Sequence, residues 1–283
     1  MKRARIDTLL RFGLAFIATA IYLLPLFWMV TTSIKPPEQI IQNPPVLLTT
    51  SPQIDSYKQV LGLPTGRAEI YVSTIVYLKN SLIIALSTML ITLLMAVPAA
   101  YAISRFRFQG RSAFVLFLLV AQMLPSVLLV IPLFVLFKSF NLYNTYLSVI
   151  LADSALALPF AIIILRASFL QVPADIEEAA WIDGGSRLQV LFQIILPLVR
   201  AGLVAVGVFS FLTAWGEFVF ALSFLPNVDL QPISIGVFQF VGMYKTQWDS
   251  MMAFSTLVAI PAVVAFLLLQ RQFISGLTAG SVK

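Results

Sequence analysis

Few side chains in this sequence can do chemistry. The 283 residues include 18 Lys and Arg and 12 Asp and Glu, but no His and no Cys. Without imidazole or thiol, the common zinc, copper and haem ligands are missing. Cys nucleophiles, His bases and His-based pH sensing go with them. Carboxylates alone remain for a metal and they are few, so neither a metal site nor a catalytic set is expected. Those that stand out form two groups. Asp175, Glu177, Glu178 and Asp183 cluster within one short polar stretch, whereas Asp153 and Glu217, with the neutral Gln122, lie inside long apolar runs. No G-x4-G-K-[ST] string occurs, so the chain does not supply its own phosphate-binding loop.

The elements that must position these groups are set by solvent. Hydrophobic residues make up 60% of the chain and charged residues 11%, with a mean hydropathy of +0.96. Soluble domains carry about 25% charged residues, so a soluble globular enzyme is excluded and lipid must surround most of the molecule. The formal charge of +6 suits basic loops at a membrane face. No basic cluster interleaves with aromatics as single-strand nucleic-acid binding needs.

Six stretches approach the length of about 20 residues that a helix needs to cross a bilayer: 12–32, 80–100, 113–137, 146–165, 202–225 and 252–269. Continuous apolarity favours helices over barrel strands, which alternate. Segments 1–11, 101–112, 166–201 and 270–283 hold twelve of the 18 basic residues, Arg105, Arg107 and Arg111 among them. The positive-inside rule places these segments and both termini in the cytoplasm. The first run is too long for a cleaved signal core and reads as an uncleaved signal anchor. Segment 33–79 reads as an outer loop with one short surface helix, and residues 1–283 as a single transmembrane domain.

Pro25, Pro98, Pro125, Pro132, Pro159 and Pro261 fall within five of the spans, either as tolerated irregularities or as kinks in a bundle that rocks. A carboxylate at the centre of a membrane helix costs about 2.5–3.5 kcal/mol on insertion scales and should face a partner or a wet path. Glu217 therefore has three open readings: a structural hydrogen-bonding group, a pathway lining, or a proton-coupling site. Gln122 and Asp153 are further pathway candidates.

The inner loop 166–201 reads as two short helices. Asp175-Ile-Glu-Glu178 has capping-box form with Asp175 as the cap, and Glu177 and Glu178 sit in the first turn, where the helix dipole favours them. Gly184-Gly185 supplies a left-handed stop. Ser186 with Gln189 forms a second box, opening a helix with Leu188, Leu191, Phe192 and Ile195 on one face, and Pro197 marks the break before the next span. An acidic helix with a small Ala face suits a protein groove better than an anionic lipid surface.

Glu178-Ala179-Ala180, then Gly184, then Ile194-x-Leu196-Pro197, resembles the EAA signature of permease subunits in binding-protein-dependent ABC importers. Gly185 and Ala201 stand where Ala and Pro are common. The likeness covers roughly residues 75–283. Tyr101-Ala-Ile-Ser-Arg-Phe-Arg-Phe-Gln-Gly110, Ile131-Pro-Leu-Phe134, Leu142-Tyr-Asn-Thr145, Trp215-Gly-Glu-Phe218 and the tail 270–283 are similar to carbohydrate permeases of the MalG type.

The resemblance implies an all-α polytopic fold of the type I importer class, in a bacterial or archaeal cytoplasmic membrane. It implies a non-catalytic subunit partnered by a second, MalF-like permease, two cytoplasmic ATPase subunits that bind ATP and Mg, and an extracytoplasmic sugar-binding protein. Glu177, Glu178, Ala179, Ala180, Asp183, Gly184, Ile194, Leu196 and Pro197 are the implied ATPase-coupling residues, with Glu178 pairing with a basic ATPase side chain. The tail residues Gly276, Leu277, Thr278, Ala279 and Gly280 are expected to reach the ATPase dimer. The outer loop 226–251, with Phe238, Phe240, Gly242 and Tyr244 presenting an aromatic face, is expected to meet the binding protein. The competing readings are a proton-coupled secondary transporter using Glu217 or Asp153, a membrane scaffold without a transport path, and an importer permease for a solute other than sugar.

Overall fold

The computed structural model describes residues 2–64, 73–242 and 246–278. Among these the regular structure is helical: α1 (Lys2–Ser33), α2 (Pro37–Ile40), α3 (Asp55–Val60), α4 (Thr74–Arg105), α5 (Arg111–Ala121), α6 (Ser126–Ser139), α7 (Tyr146–Leu170), α8 (Ala174–Ile182), α9 (Arg187–Val190), α10 (Leu196–Leu198), α11 (Arg200–Gly216), α12 (Val219–Phe224), α13 (Ile233–Gly236) and α14 (Trp248–Thr278). A π turn, Leu191–Ile195, joins α9 to α10. The chain divides into two compact units, one of residues 1–75 and 237–260, the other of 76–236 and 261–283.

Three helical stretches are each long and apolar enough to cross a bilayer: Leu10–Ser33, Thr74–Arg105 and Tyr146–Leu170. The expected span 113–137 is not one helix. α5 and α6 meet at 101°, because Pro125 disfavours helical backbone at the residue before it and itself takes an extended ψ of 132°. The other five span prolines lie inside their helices. The expected span 202–225 is likewise interrupted, with Glu217 extended between α11 and α12.

In the first unit, α1 leaves its apolar faces uncovered: Phe12, Phe16 and Tyr22 are all largely exposed, as lipid-solvated side chains are. The following segment is anchored by polar contacts. Ser33 Oγ pairs with the Tyr57 hydroxyl at 2.8 Å, Ser56 Oγ donates to Asp249 at 2.9 Å, and Ser250 Oγ donates to Gln59 at 2.8 Å. These bonds fasten the short surface helix α3 to the start of α14.

In the second unit, α11 packs between α7 and α4. Gly202 lets α11 approach so closely that a Cβ there would overlap the Ser168 side chain of α7, while a Cβ on Gly207 would meet Met89 and Leu93 of α4 at ordinary contact distances. Phe160 and Phe209 meet across the α7–α11 seam with ring centroids 4.0 Å apart and planes tilted by 33°. The core runs from Ala96, Ala100 and Tyr101 through Ala161, Leu165 and Phe169 to Val190, Leu191 and Ile195.

At one end of this unit a neutral network closes the bundle. Asn80 donates to the carbonyls of Asp229 and Gln231 at 2.8 and 2.9 Å and accepts from the Tyr146 hydroxyl at 2.7 Å. Ser81 accepts from the Ile233 amide at 2.9 Å. Asn144, at φ +60°, sends its amide to the Phe224 carbonyl and accepts from the Asn227 amide. Asn tolerates that left-handed backbone better than most residues.

Candidate functional site

At the arginine-bearing end of the second unit, the acidic helix α8 stands on an elbow of three residues after α7. It starts two residues earlier than the sequence pattern suggests. Pro173, extended at ψ 138°, is its N-cap, and no side chain caps it. Asp175 is therefore a first-turn residue rather than the cap, and the expected Asp175/Glu178 box does not form. Its charge still meets the positive end of the helix dipole.

The stop is as expected. Gly184, at φ +89°, donates to the Trp181 carbonyl and Gly185 to that of Ala180, at 3.1 and 3.0 Å. These two bonds are the Schellman pattern, which favours glycine at the left-handed position. Gly185 is close-packed as well, since a Cβ there would stand 2.9 Å from the Ala180 carbonyl oxygen. Ser186 and Gln189 form the second capping box with both reciprocal bonds.

The two neighbouring glutamates of α8 face opposite ways. Glu177 is buried and uses both carboxylate oxygens: Oε1 accepts from Arg105 Nε at 2.5 Å and Oε2 from the Tyr101 hydroxyl at 2.8 Å. Arg105 Nη2 also donates to the Val172 carbonyl in the elbow, at 2.9 Å. The Arg187 guanidinium lies over the rings of Phe106 and Trp181, 5.3 and 5.5 Å from their centroids, within cation–π range.

Glu178, Ala179 and Asp183 are exposed, and Ala180 is half-buried. Beside them lie Ile182, 85% exposed, Leu188, 68%, and Phe192, 62%. The expected apolar face of the second helix is thus split, since Leu191 and Ile195 enter the core while Leu188 and Phe192 stay outside. Ile194 and Leu196 pack against that core, and Pro197 is exposed. Glu177 is accordingly a residue that holds α8, while Glu178 is free to meet something else.

The polar groups at membrane depth do not all come together: Asp153 and Glu217 lie within electrostatic reach of each other, and Gln122 stands apart. Gln122 is exposed at the α5–α6 break. Asp153 is fully buried in α7, and neither carboxylate oxygen has a hydrogen-bond partner among the described residues. Glu217 closes the start of α12, accepting from the Phe220 and Ala221 amides at 2.8 and 3.0 Å. Ser234 donates to its carbonyl oxygen. Of the three readings of Glu217, this geometry matches the structural one.

Phe240 does not belong to an exposed aromatic face. It is buried against Phe254 of α14, centroids 5.4 Å apart, whereas Phe238 and Gly242 are exposed. Tyr244, Ala279 and Gly280 lie outside the described residues, and Gly276, Leu277 and Thr278 form the end of the α14 backbone.

The described residues thus form an all-α, polytopic membrane protein in which one short helix projects exposed carboxylates and small residues. The profile of the family described as "binding-protein-dependent transport system inner membrane component" matches residues 89–278, and the chain belongs to that family. It is a membrane permease subunit. The trehalose/maltose transport system permease protein MalG of Thermococcus litoralis is 36% identical over 270 residues, 95% of this chain and 94% of the relative. The diacetylchitobiose uptake system permease protein DasC of Streptomyces coelicolor is 33% identical over 259 residues, 92% and 91% of the two chains. Among solved structures, a chain from the crystal structure of a bacterial ABC transporter that imports the acidic polysaccharide alginate shares the fold. Its TM-score is 0.80 at 20% identity, covering 96% of this chain and 98% of that one.

Proposed function

We propose that this chain is one of two permease subunits of an ATP-driven sugar importer of the cytoplasmic membrane, and that α8 seats in a cleft of a cytoplasmic ATPase subunit. The observation that carries the reading is the opposed orientation of Glu177 and Glu178: one carboxylate fastens the helix, leaving the next, with Ala179, turned outward. An exposed carboxylate beside a small apolar patch offers a basic partner residue a charge-assisted bond and close backbone approach. ATP and Mg bind to the two ATPase subunits, consistent with the lack of a phosphate loop here. An extracytoplasmic binding protein delivers the sugar and meets the exposed Phe238 and Gly242, while a second, MalF-like permease completes the translocation path. Relatives named for trehalose, maltose and diacetylchitobiose support a sugar or short oligosaccharide as cargo.

The test is a purified complex of this chain with its partner subunits, reconstituted in proteoliposomes and supplied with the binding protein and a panel of sugars. A sugar cargo predicts that one or a few sugars stimulate ATP hydrolysis and accumulate inside. Glu178→Arg should abolish accumulation while the chain still inserts. Undiminished transport by that variant removes the assignment of α8, and uptake driven by a pH gradient without ATP would favour the secondary-transporter reading.

A further inference from the structure

Glu177 is spent on this chain itself, and what it holds is informative. The elbow 171–173 is the only covalent link from α7 into α8. A helix of nine residues on such an elbow would pivot if nothing else held it. Three bonds remove that freedom. Arg105 and Tyr101 take separate oxygens of the Glu177 carboxylate, and the second arm of Arg105 takes the Val172 carbonyl in the elbow itself. Both donors lie four residues apart on α4, hence on one face. The Tyr101 ring is itself fixed, meeting Phe169 and Phe106 edge-on with centroids 5.7 and 6.1 Å away. Burying such a charge pair adds little net stability, so the return on this arrangement is geometry.

We propose that Tyr101, Arg105 and Glu177 are positioning residues that make α8 and the end of α4 a single rigid lever. A push on α8 then displaces α4, and with it α11, which lies against α4 at Gly207. Arg187, over Phe106 and Trp181, braces the same joint from the side. The inference rests on the coupling reading of α8 and adds the route by which that motion enters the bundle.

Two measurements on the reconstituted complex decide it. The first uses Glu177→Gln, which keeps the shape and the Tyr101 bond but removes the charge. Hydrolysis should stay within about twofold of wild type while solute moved per ATP falls about tenfold, a coupling loss in the usual allosteric range. Tyr101→Phe should show a smaller loss in the same direction. The second needs no change at the joint. Because the chain has no Cys, spin labels can be placed at Asp175→Cys on α8 and at Met95→Cys, an exposed position of α4, alone. The lever predicts one distance between them, the same with and without ATP, which splits or broadens when Glu177→Gln is added.

Unchanged transport per ATP in Glu177→Gln, or a wild-type distance that shifts between nucleotide states, overturns the lever. Glu178→Arg separates the two ideas. If that variant transports normally, the ATPase-seating reading fails, and the label distance still decides the joint.

Discussion

The two ends of the second unit are closed by different chemistry. At the Asn80 end every hydrogen-bonding group is neutral, and an amide side chain fixes a loop through backbone carbonyls, one of them that of Asp229, and a tyrosine hydroxyl. At the Glu177 end an ion pair fixes a helix, and the neighbouring surface is left apolar, acidic and uncovered. The first arrangement satisfies itself and asks nothing of a partner. The second fixes one face while leaving another exposed, as the coupling role proposed for α8 requires. A neutral network suffices where a loop has only to stay in place.

That contrast can be broken in order of expected effect. Asn80→Ala deprives two loop carbonyls and the Tyr146 hydroxyl of their partner and should cost about 3 kcal/mol of stability, read as a lower unfolding midpoint in detergent. Gly202→Ala drives a methyl into Ser168 and should cost about 2 kcal/mol, whereas Gly207→Ala, with its neighbours at contact distance, should be nearly neutral. Gly184→Ala strains the left-handed stop of α8 by about 1 kcal/mol. Leu188→Ser, on the exposed face, should move stability by less than about 0.5 kcal/mol and yet weaken recovery of ATPase subunits in a pull-down of the solubilised complex. If Leu188→Ser unfolds the chain, or Asn80→Ala costs nothing, the division between a self-sufficient end and a partner-seeking end is wrong.

Much of this was legible in the sequence, because it rests on local signals. The Ser186/Gln189 box and the Gly184 stop are each written within a few residues, and the apolar runs announce the helices. The misread features depend on competition or on distance. Asp175 has the chemistry of a cap, but Pro173 sets the extended turn first and takes the position. Pro125 was open to reading as a kink in 113–137, yet continuous apolarity hid a full break. Phe240 looks like Phe238 in a string of letters, and only Phe254 decides that one is buried. The pairing of Glu177 with Tyr101 and Arg105 spans more than seventy residues. The one available signal was a Tyr and an Arg four apart at the inner end of a span.

The central claim is that the uncovered face of α8 is where a separate ATPase subunit seats. Its most direct test is the affinity of the purified ATPase subunit for this chain, together with its partner permease, in lipid nanodiscs, with and without Ala179→Trp. Ala179 is exposed, so the bulky ring fills the seat without touching the core. The account predicts at least about tenfold weaker binding, the effect of losing roughly 1.4 kcal/mol at an interface centre, with an unchanged unfolding midpoint. Equal affinity for the two chains would contradict it.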